Sequence, residues 1–313
     1  MSDPAETAAG ASYVALADWG TSNFRLWLVD RDGHVLGECQ SPDGMSACAA
    51  DNRFAAVLEK NLTDLSAPAS LPVVIAGMAG ARAGWLEAAY VETPAPLANL
   101  QNHAVSPAAS RPVHILPGLC QKVTGPFDVM RGEETQLAGA AATGHPTGVF
   151  CLPGTHSKWV DMRDGTVLRF RTSMTGELYE LLSKQSILRL SIAATDRSTP
   201  DHPVFAEAVQ QALGEGFSLT ANLFSIRAAG LLSTPVENEA TARLSGFLIG
   251  AEIAAMRDFF KPGDTVHLIG SESLNALYTK ALALAGAKPE TLDGSALVRN
   301  GLFAAARALL STN

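Results

Sequence analysis

Two stretches of this chain run through the same series of local signals, and that series leaves few folds open. The first begins with the apolar run Tyr13-Val14-Ala15-Leu16-Ala17, short enough for a buried strand. It breaks into the turn Asp18-Trp19-Gly20-Thr21-Ser22-Asn23 and resumes as a strand over 24–30. An Asp32-Gly33 hairpin signal follows, then a third strand from Val35 to Cys39. The second series starts at Val149-Phe150-Cys151-Leu152 and turns at Pro153-Gly154-Thr155-His156-Ser157-Lys158. It continues as a strand over 159–162, an Asp164-Gly165 hairpin and a strand over 166–170. Two meanders, each headed by a Gly-Thr turn, predict an architectural duplication, although their residues have little in common. A chain of 313 residues is also too long for one simple core.

Around the meanders the pattern is α/β. Phe54, Val57, Leu58, Leu62 and Leu65 recur at helical spacing over 51–66. Strands are predicted at 73–77 and 113–118, with loop and short irregular pieces over 92–112. A helix over 133–141 opens with acids in its first turn, and 144–148 reads as a linker. Beyond the second meander the chain reads as helices over 175–190, 203–213, 217–231, 238–260, 273–286 and 295–310, broken by a strand over 266–269. The predicted division is 1–143 and 144–313, with the last helix free to pack back on the first domain.

The bulk chemistry narrows the function classes. A net charge of −8 argues against nucleic acid as a partner. The polar start 1–11 reads as a loose tail without the basic and apolar regions of a signal peptide. The apolar stretch 246–256 is too short to span a bilayer and carries Glu252. A cytoplasmic enzyme without a membrane partner is the expectation. Cys39, Cys48, Cys120 and Cys151 form no CxxC pair, so free thiols are expected rather than a zinc site or a disulfide framework.

The candidate chemistry sits in the turns. Gly20-Thr21-Ser22-Asn23 offers unobstructed backbone N–H groups and hydroxyls, a concavity suited to phosphate oxygens. Asp18, at the strand end, is placed to hold a hydrated Mg²⁺ beside them. An ordinary hairpin is the plain alternative. Gly154-Thr155-His156-Ser157-Lys158 repeats the chemistry, and two such loops facing each other suit one nucleotide triphosphate. Gly270-Ser271 lies between a strand and a helix, where glycine admits a flat ring or ribose; the plain alternative is a turn capped by Ser273. Glu133 and Glu134 point about 100° apart on a helix, so one can face a cleft and accept an alcohol proton. Both could equally serve the helix dipole. There is no GxxxxGK[ST] loop, no protein-kinase signature set and no GxSxG elbow.

These turns, taken in order, resemble the phosphate 1, phosphate 2 and adenosine motifs of the actin/Hsp70/sugar-kinase superfamily. More narrowly, ADWGTSNFRLWL (17–28), VIAGMAGARAGW (74–85), ILPGLC (115–120), VMRGEETQLAGA (129–140), LPGTHSKWV (152–160), RTSMTGELYELL (171–182) and LSGFLIGAEIAAMRD (244–258) resemble the 2-dehydro-3-deoxygalactonokinase family. The resemblance implies two actin-like (ribonuclease H-like) α/β domains with an ATP cleft between them. It implies ATP and Mg²⁺, a sugar-acid substrate phosphorylated at its C6 hydroxyl, and Glu134 as base with Glu133 as the alternative. It makes Arg25, Arg131 and, last in rank, Arg82 candidates for the substrate carboxylate, with Gly80 and Glu177 also in the substrate set. Other keto-deoxy acids, an exopolyphosphatase-like hydrolase and an actin-like filament or chaperone ATPase are the competing classes. A homodimer is left open.

Overall fold

The computed structural model describes residues 12–123, 125–193, 195–234 and 236–311. The tail expected over 1–11 lies outside the described residues. The chain divides into two compact units. The first holds residues up to 147 together with 162–169 and the stretch from 294, and the second holds 148–161 and 170–293.

In the first unit β1 (Val14–Trp19), β2 (Phe24–Val29) and β3 (Val35–Ser41) form the expected meander. β4 (Val73–Gly77) joins β1 in parallel, and β7 (Val113–Ile115) joins β4 in parallel, giving the order β3-β2-β1-β4-β7. β1 is apolar from Val14 to Ala17 because both of its faces are covered. Ala15, Ala17 and Trp19 belong to one core with Phe54, Leu58 and Leu62 of the helix Phe54–Asp64. Val14 and Leu16 belong to another with Val298, Leu302 and Ala306 of the closing helix Gly294–Leu310. Each large side chain buried this way contributes about 1.5–3 kcal/mol.

The stretch expected as loop over 92–112 is more ordered than its Pro and Ser content suggested. β5 (Val91–Glu92), β6 (Ala95–Pro96) and a 3₁₀ turn Leu97–His103 occupy it. β5 pairs with β8 (Leu119–Gln121), and β8 pairs with β9 (Asp128–Met130), which delivers the chain to the helix Glu133–Ala142.

A second sheet repeats the plan. β10 (Gly148–Leu152), β11 (Ser157–Arg163), β12 (Thr166–Ser173), β13 (Thr265–Leu268) and β14 (Lys288–Thr291) stand with β6 in the order β6-β12-β11-β10-β13-β14, with β13 parallel to both its neighbours; β6 and residues 162–169 count with the first unit. β14 has no counterpart in the sequence reading. It is a polar edge strand, KPET, with three of its four residues exposed, so it carries no apolar pattern. Two helices are shorter than predicted: Thr175–Lys184 yields to a 3₁₀ turn Ile187–Leu190, and Glu239–Ala255 stops before 260. The helices Pro203–Leu213 and Glu272–Leu284 share a core with the latter around Phe205, Ile253 and Tyr278.

Glycine permits the closest helix contact of the first unit. A Cβ on Gly301 of the closing helix would stand 2.0 Å from the Thr135 carbonyl oxygen, and one on Gly139 would stand 1.9 Å from the Leu297 carbonyl oxygen. Gly301→Ala therefore forces these two helices apart. Urea unfolding is expected to show a loss of roughly 1–3 kcal/mol from overpacking.

Candidate active site

The first turn is set by strand register. β1 and β2 pair so that Asp18 faces Arg25 and Trp19 faces Phe24. The connecting residues Gly20 to Asn23 close with the Gly20 amide donating to the Asn23 carbonyl at 2.8 Å. Thr21, Ser22 and Asn23 are exposed. The turn is held from outside by the amides of Met45 and Ser46, which donate to the carbonyls of Gly20 and Thr21 at 2.9 and 3.0 Å. A cavity of about 750 Å³ lies against Asp18, the turn, Arg25 and residues 40–42.

Two glycines, Gly77 and Gly132, lie between Asp18 and Glu134. Trp19 and Gly77 are register partners at the ends of parallel strands β1 and β4. Gly77 has φ +89°, and a Cβ there would lie 2.6 Å from the Trp19 carbonyl oxygen and 3.4 Å from Asp18 Oδ1. Gly132, at φ +110°, stands with its Cβ position 3.8 Å from Gly77 Cα. Its amide donates to both carboxylate oxygens of Glu134, at 3.0 and 2.8 Å, and the Thr135 hydroxyl donates to Oε1 at 3.2 Å. Only glycine takes up such φ values without strain. Gly77 and Gly132 were not singled out as site residues. The signal for Gly77 was a glycine closing an apolar strand.

Glu134 has no exposed surface. Burial, followed by the nearby negative charge of Glu133, pushes its carboxyl up to about 8, against the bonds from Gly132 and the charge of Arg131. Glu133 is half-buried and accepts from the Arg131 amide at 3.0 Å.

The three candidate arginines differ in what they already hold. Arg25 donates to Asp18 Oδ2 at 2.5 Å and stacks over Trp27. Arg82 is 90% exposed, with Nε 3.6 Å from Glu87. Arg131 gives Nη2 to the Ala88 carbonyl at 2.7 Å and lies 4.4 Å from the Tyr90 ring centroid. Its Nε and Nη1 are buried and have no hydrogen-bond partner among the described residues. Gly80, in the 3₁₀ turn Met78–Gly80, leaves the room this guanidinium occupies, since a Cβ there would stand 2.7 Å from Nη1.

In the second unit the turn is shorter than the sequence suggested. β11 begins at Ser157, so Ser157 and Lys158 are buried strand residues rather than exposed turn residues. Only Thr155 and His156 of the turn are exposed, and no atom lies within 4 Å of a Cβ placed on Gly154. Glu177 Oε2 lies 2.5 Å from His156 Nε2, so this carboxylate is already engaged by the turn. Gly270 abuts Pro153: its Cβ position is 3.3 Å from the Pro153 carbonyl oxygen. The helix that follows is capped by Ser271, whose hydroxyl accepts from the Leu274 amide, and not by Ser273.

Two α/β sheets, each a three-stranded meander extended by two parallel strands and turning at the ends of parallel strands, define an actin-like fold of the sugar-kinase type. The dehydratase activator of Clostridium difficile, solved with bound ADPNP, shares this fold at a TM-score of 0.53, with 11% identity and 96% and 97% of the two chains covered. The chain belongs to the 2-keto-3-deoxy-galactonokinase family, whose model matches residues 18–305. A probable 2-dehydro-3-deoxygalactonokinase of Rhizobium meliloti is 46% identical, covering 96% of this chain and 98% of that one. The 2-dehydro-3-deoxygalactonokinase of Escherichia coli is 35% identical, covering 96% and 99%. A crystal structure from Sinorhizobium meliloti, described as a putative 2-dehydro-3-deoxygalactonokinase, superposes at a TM-score of 0.90 with 45% identity, over 95% and 99% of the chains. Among the described residues no helix is long and apolar enough to cross a membrane.

The raised Glu134 carboxyl has a consequence for stability. The folded chain keeps this proton when the unfolded chain has already lost it. The group's stabilising contribution is full below 4.5 and is lost as pH rises towards about 8. Glu134→Gln removes the titration. The unfolding free energy of the variant relative to the parent is therefore expected to climb across that window, read from urea unfolding at several pH values.

Proposed function

We propose that this chain transfers the γ-phosphoryl group of ATP to the C6 hydroxyl of 2-dehydro-3-deoxy-D-galactonate; the relatives 46% and 35% identical to it are named as 2-dehydro-3-deoxygalactonokinases. The observation that carries the reading is the Glu134 carboxyl: buried, raised to about 8, and joined by the Gly132–Gly77 approach to the Asp18 turn. A base near neutral pKa beside a phosphate-type turn is what alcohol phosphorylation needs.

In this reading Glu134 accepts the C6 hydroxyl proton as that oxygen bonds to the γ-phosphorus, and the bond to the ADP oxygen breaks. The exposed turns at 20–23 and 154–156 hold phosphate oxygens through backbone N–H groups and hydroxyls. Gly270 and Ser271 are assigned to the adenosine end. Glu177, engaged by His156, is assigned to orienting that ring and not to a substrate hydroxyl. Asp18 Oδ2 is held by Arg25, and the oxygens left beside the cavity, Asp18 Oδ1 and the hydroxyls of Thr21 and Ser22, suit a hydrated Mg²⁺ bound through water. When bound, the ion offsets polyphosphate charge. Arg131 is assigned to the substrate carboxylate because it alone of the three arginine candidates has buried, unpartnered N–H groups.

Glu134→Gln is expected to lower kcat by roughly 10²–10⁴ while ADP still binds, and to abolish the rise of kcat/KM towards pH about 8. Glu133→Gln is expected to keep most of kcat. The reverse outcome would move the base to Glu133. Arg131→Lys is expected to raise KM for the keto-deoxy acid by about tenfold or more, with Arg82→Ala near the parent value. A coupled ADP-release assay with the galactonate- and gluconate-derived acids, and with no acceptor, tests the substrate. Equal release without an acceptor would make the chain a phosphohydrolase.

A further inference from the structure

Among the described residues, Glu252 is the one buried carboxylate for which the proposed chemistry has no use. It lies on the helix Glu239–Ala255, is 4% exposed, and is bonded only to neutral donors among the hydrogen bonds described. A buried carboxylate without a cation is costly, and an apolar residue of similar size would pack there at less cost. Its partners explain what it does. Oε1 accepts from Trp159 Nε1 at 2.8 Å. Oε2 accepts from Tyr278 Oη at 2.8 Å and from the Thr175 hydroxyl. The Ser157 hydroxyl reaches both Glu252 and Tyr278, the latter at 3.0 Å.

Each partner belongs to a segment that carries one of the nucleotide stretches. Ser157 and Trp159 begin β11, directly after the Gly154–His156 turn. Thr175 begins the helix that leans on that turn: a Cβ on Gly176 would stand 2.3 Å from the Gly154 carbonyl oxygen, and the Glu177 amide donates to Thr155 at 3.0 Å. Tyr278 lies on the helix capped by Ser271, whose start abuts Pro153 through Gly270. The three segments meet at one carboxylate.

We infer that Glu252 is a positioning residue for nucleotide binding, its two oxygens fixing the 154–156 turn, the start of the Thr175 helix and the helix after Gly270-Ser271 in one arrangement. This rests on the kinase reading for the identity of the nucleotide. Glutamine has the same shape, but its amide nitrogen meets donors, so two of these hydroxyls must turn away or lose their partner. The turn and the Tyr278 helix then lose their common anchor while the first unit's Glu134 and Arg131 are untouched.

The test uses the full chain, with ADP binding by calorimetry, KM for ATP, KM for the keto-deoxy acid and Tm, for Glu252→Gln, Tyr278→Phe and the control Ile253→Val. For Glu252→Gln the ADP Kd and ATP KM are expected to rise by about tenfold or more. KM for the acid is expected to stay within about twofold. Tyr278→Phe is expected to move in the same direction by less, and Ile253→Val to lower Tm with both constants near parent. A Glu252→Gln chain that loses Tm but binds ADP like the parent overturns the inference, as does an equal rise in both KM values. If Glu252→Gln does not fold, unchanged ADP binding in Tyr278→Phe overturns it. A parent chain that binds ADP but phosphorylates no sugar acid overturns the substrate reading and leaves this comparison intact.

Discussion

Much of the first unit's chemistry hangs on the Gly132 amide and the two oxygens of Glu134. The bond exists because Gly132 takes φ +110° and so turns its N–H towards the start of the helix Glu133–Ala142. Gly132 packs on Gly77, its Cβ position 3.8 Å from the Gly77 Cα, and Gly77 itself has no Cβ to meet the Trp19 carbonyl or Asp18. Gly77 is where β4 ends, level with Trp19 at the end of parallel β1. The site is thus built at the carboxyl ends of parallel strands, where an open α/β sheet leaves backbone groups free for a ligand. The second unit obeys the same rule. β10 and β13 are parallel, Cys151 is level with Leu268, and the turn after β10 meets Gly270 after β13.

What could be read in advance follows from which signals are local. Both meanders were readable because a strand covered on two faces is an apolar run, and a hairpin turn has its own residues. β14 was not, because an edge strand needs no apolar face; only its parallel partner β13 defines it. Ser157 and Lys158 looked like turn residues by composition, and only pairing shows that the strand begins there. The capping residue also depended on where the helix begins: Glu272 starts it, so Ser271 and not Ser273 is its cap.

The arginines show the same limit in the site. All three lie in stretches that resemble the family, so residue type could not separate them. The hairpin register was in fact readable for one. A turn closed between Gly20 and Asn23 puts Arg25 across from Asp18, and a cation so placed is taken up by that carboxylate before any substrate arrives. For Arg82 and Arg131 the deciding facts are non-local: exposure for one, and for the other the Tyr90 ring, the Ala88 carbonyl and the space left by Gly80.

Glu134 and Glu252 are both buried, and burial raises both, yet they are suited to opposite tasks. Glu252 is surrounded by donors from four side chains, Trp159, Tyr278, Thr175 and Ser157. A carboxylate saturated in this way has little capacity left to take a proton from a reactant, and its bonds serve to hold three segments still. Glu134 receives the Gly132 amide, its own amide and one side-chain hydroxyl, and it has the negative charge of Glu133 beside it. Its charged form is therefore under-compensated, and a proton from an incoming hydroxyl relieves that deficit. The difference between a base and a brace lies in the donors each fold segment brings, with the same residue type and nearly the same burial in both.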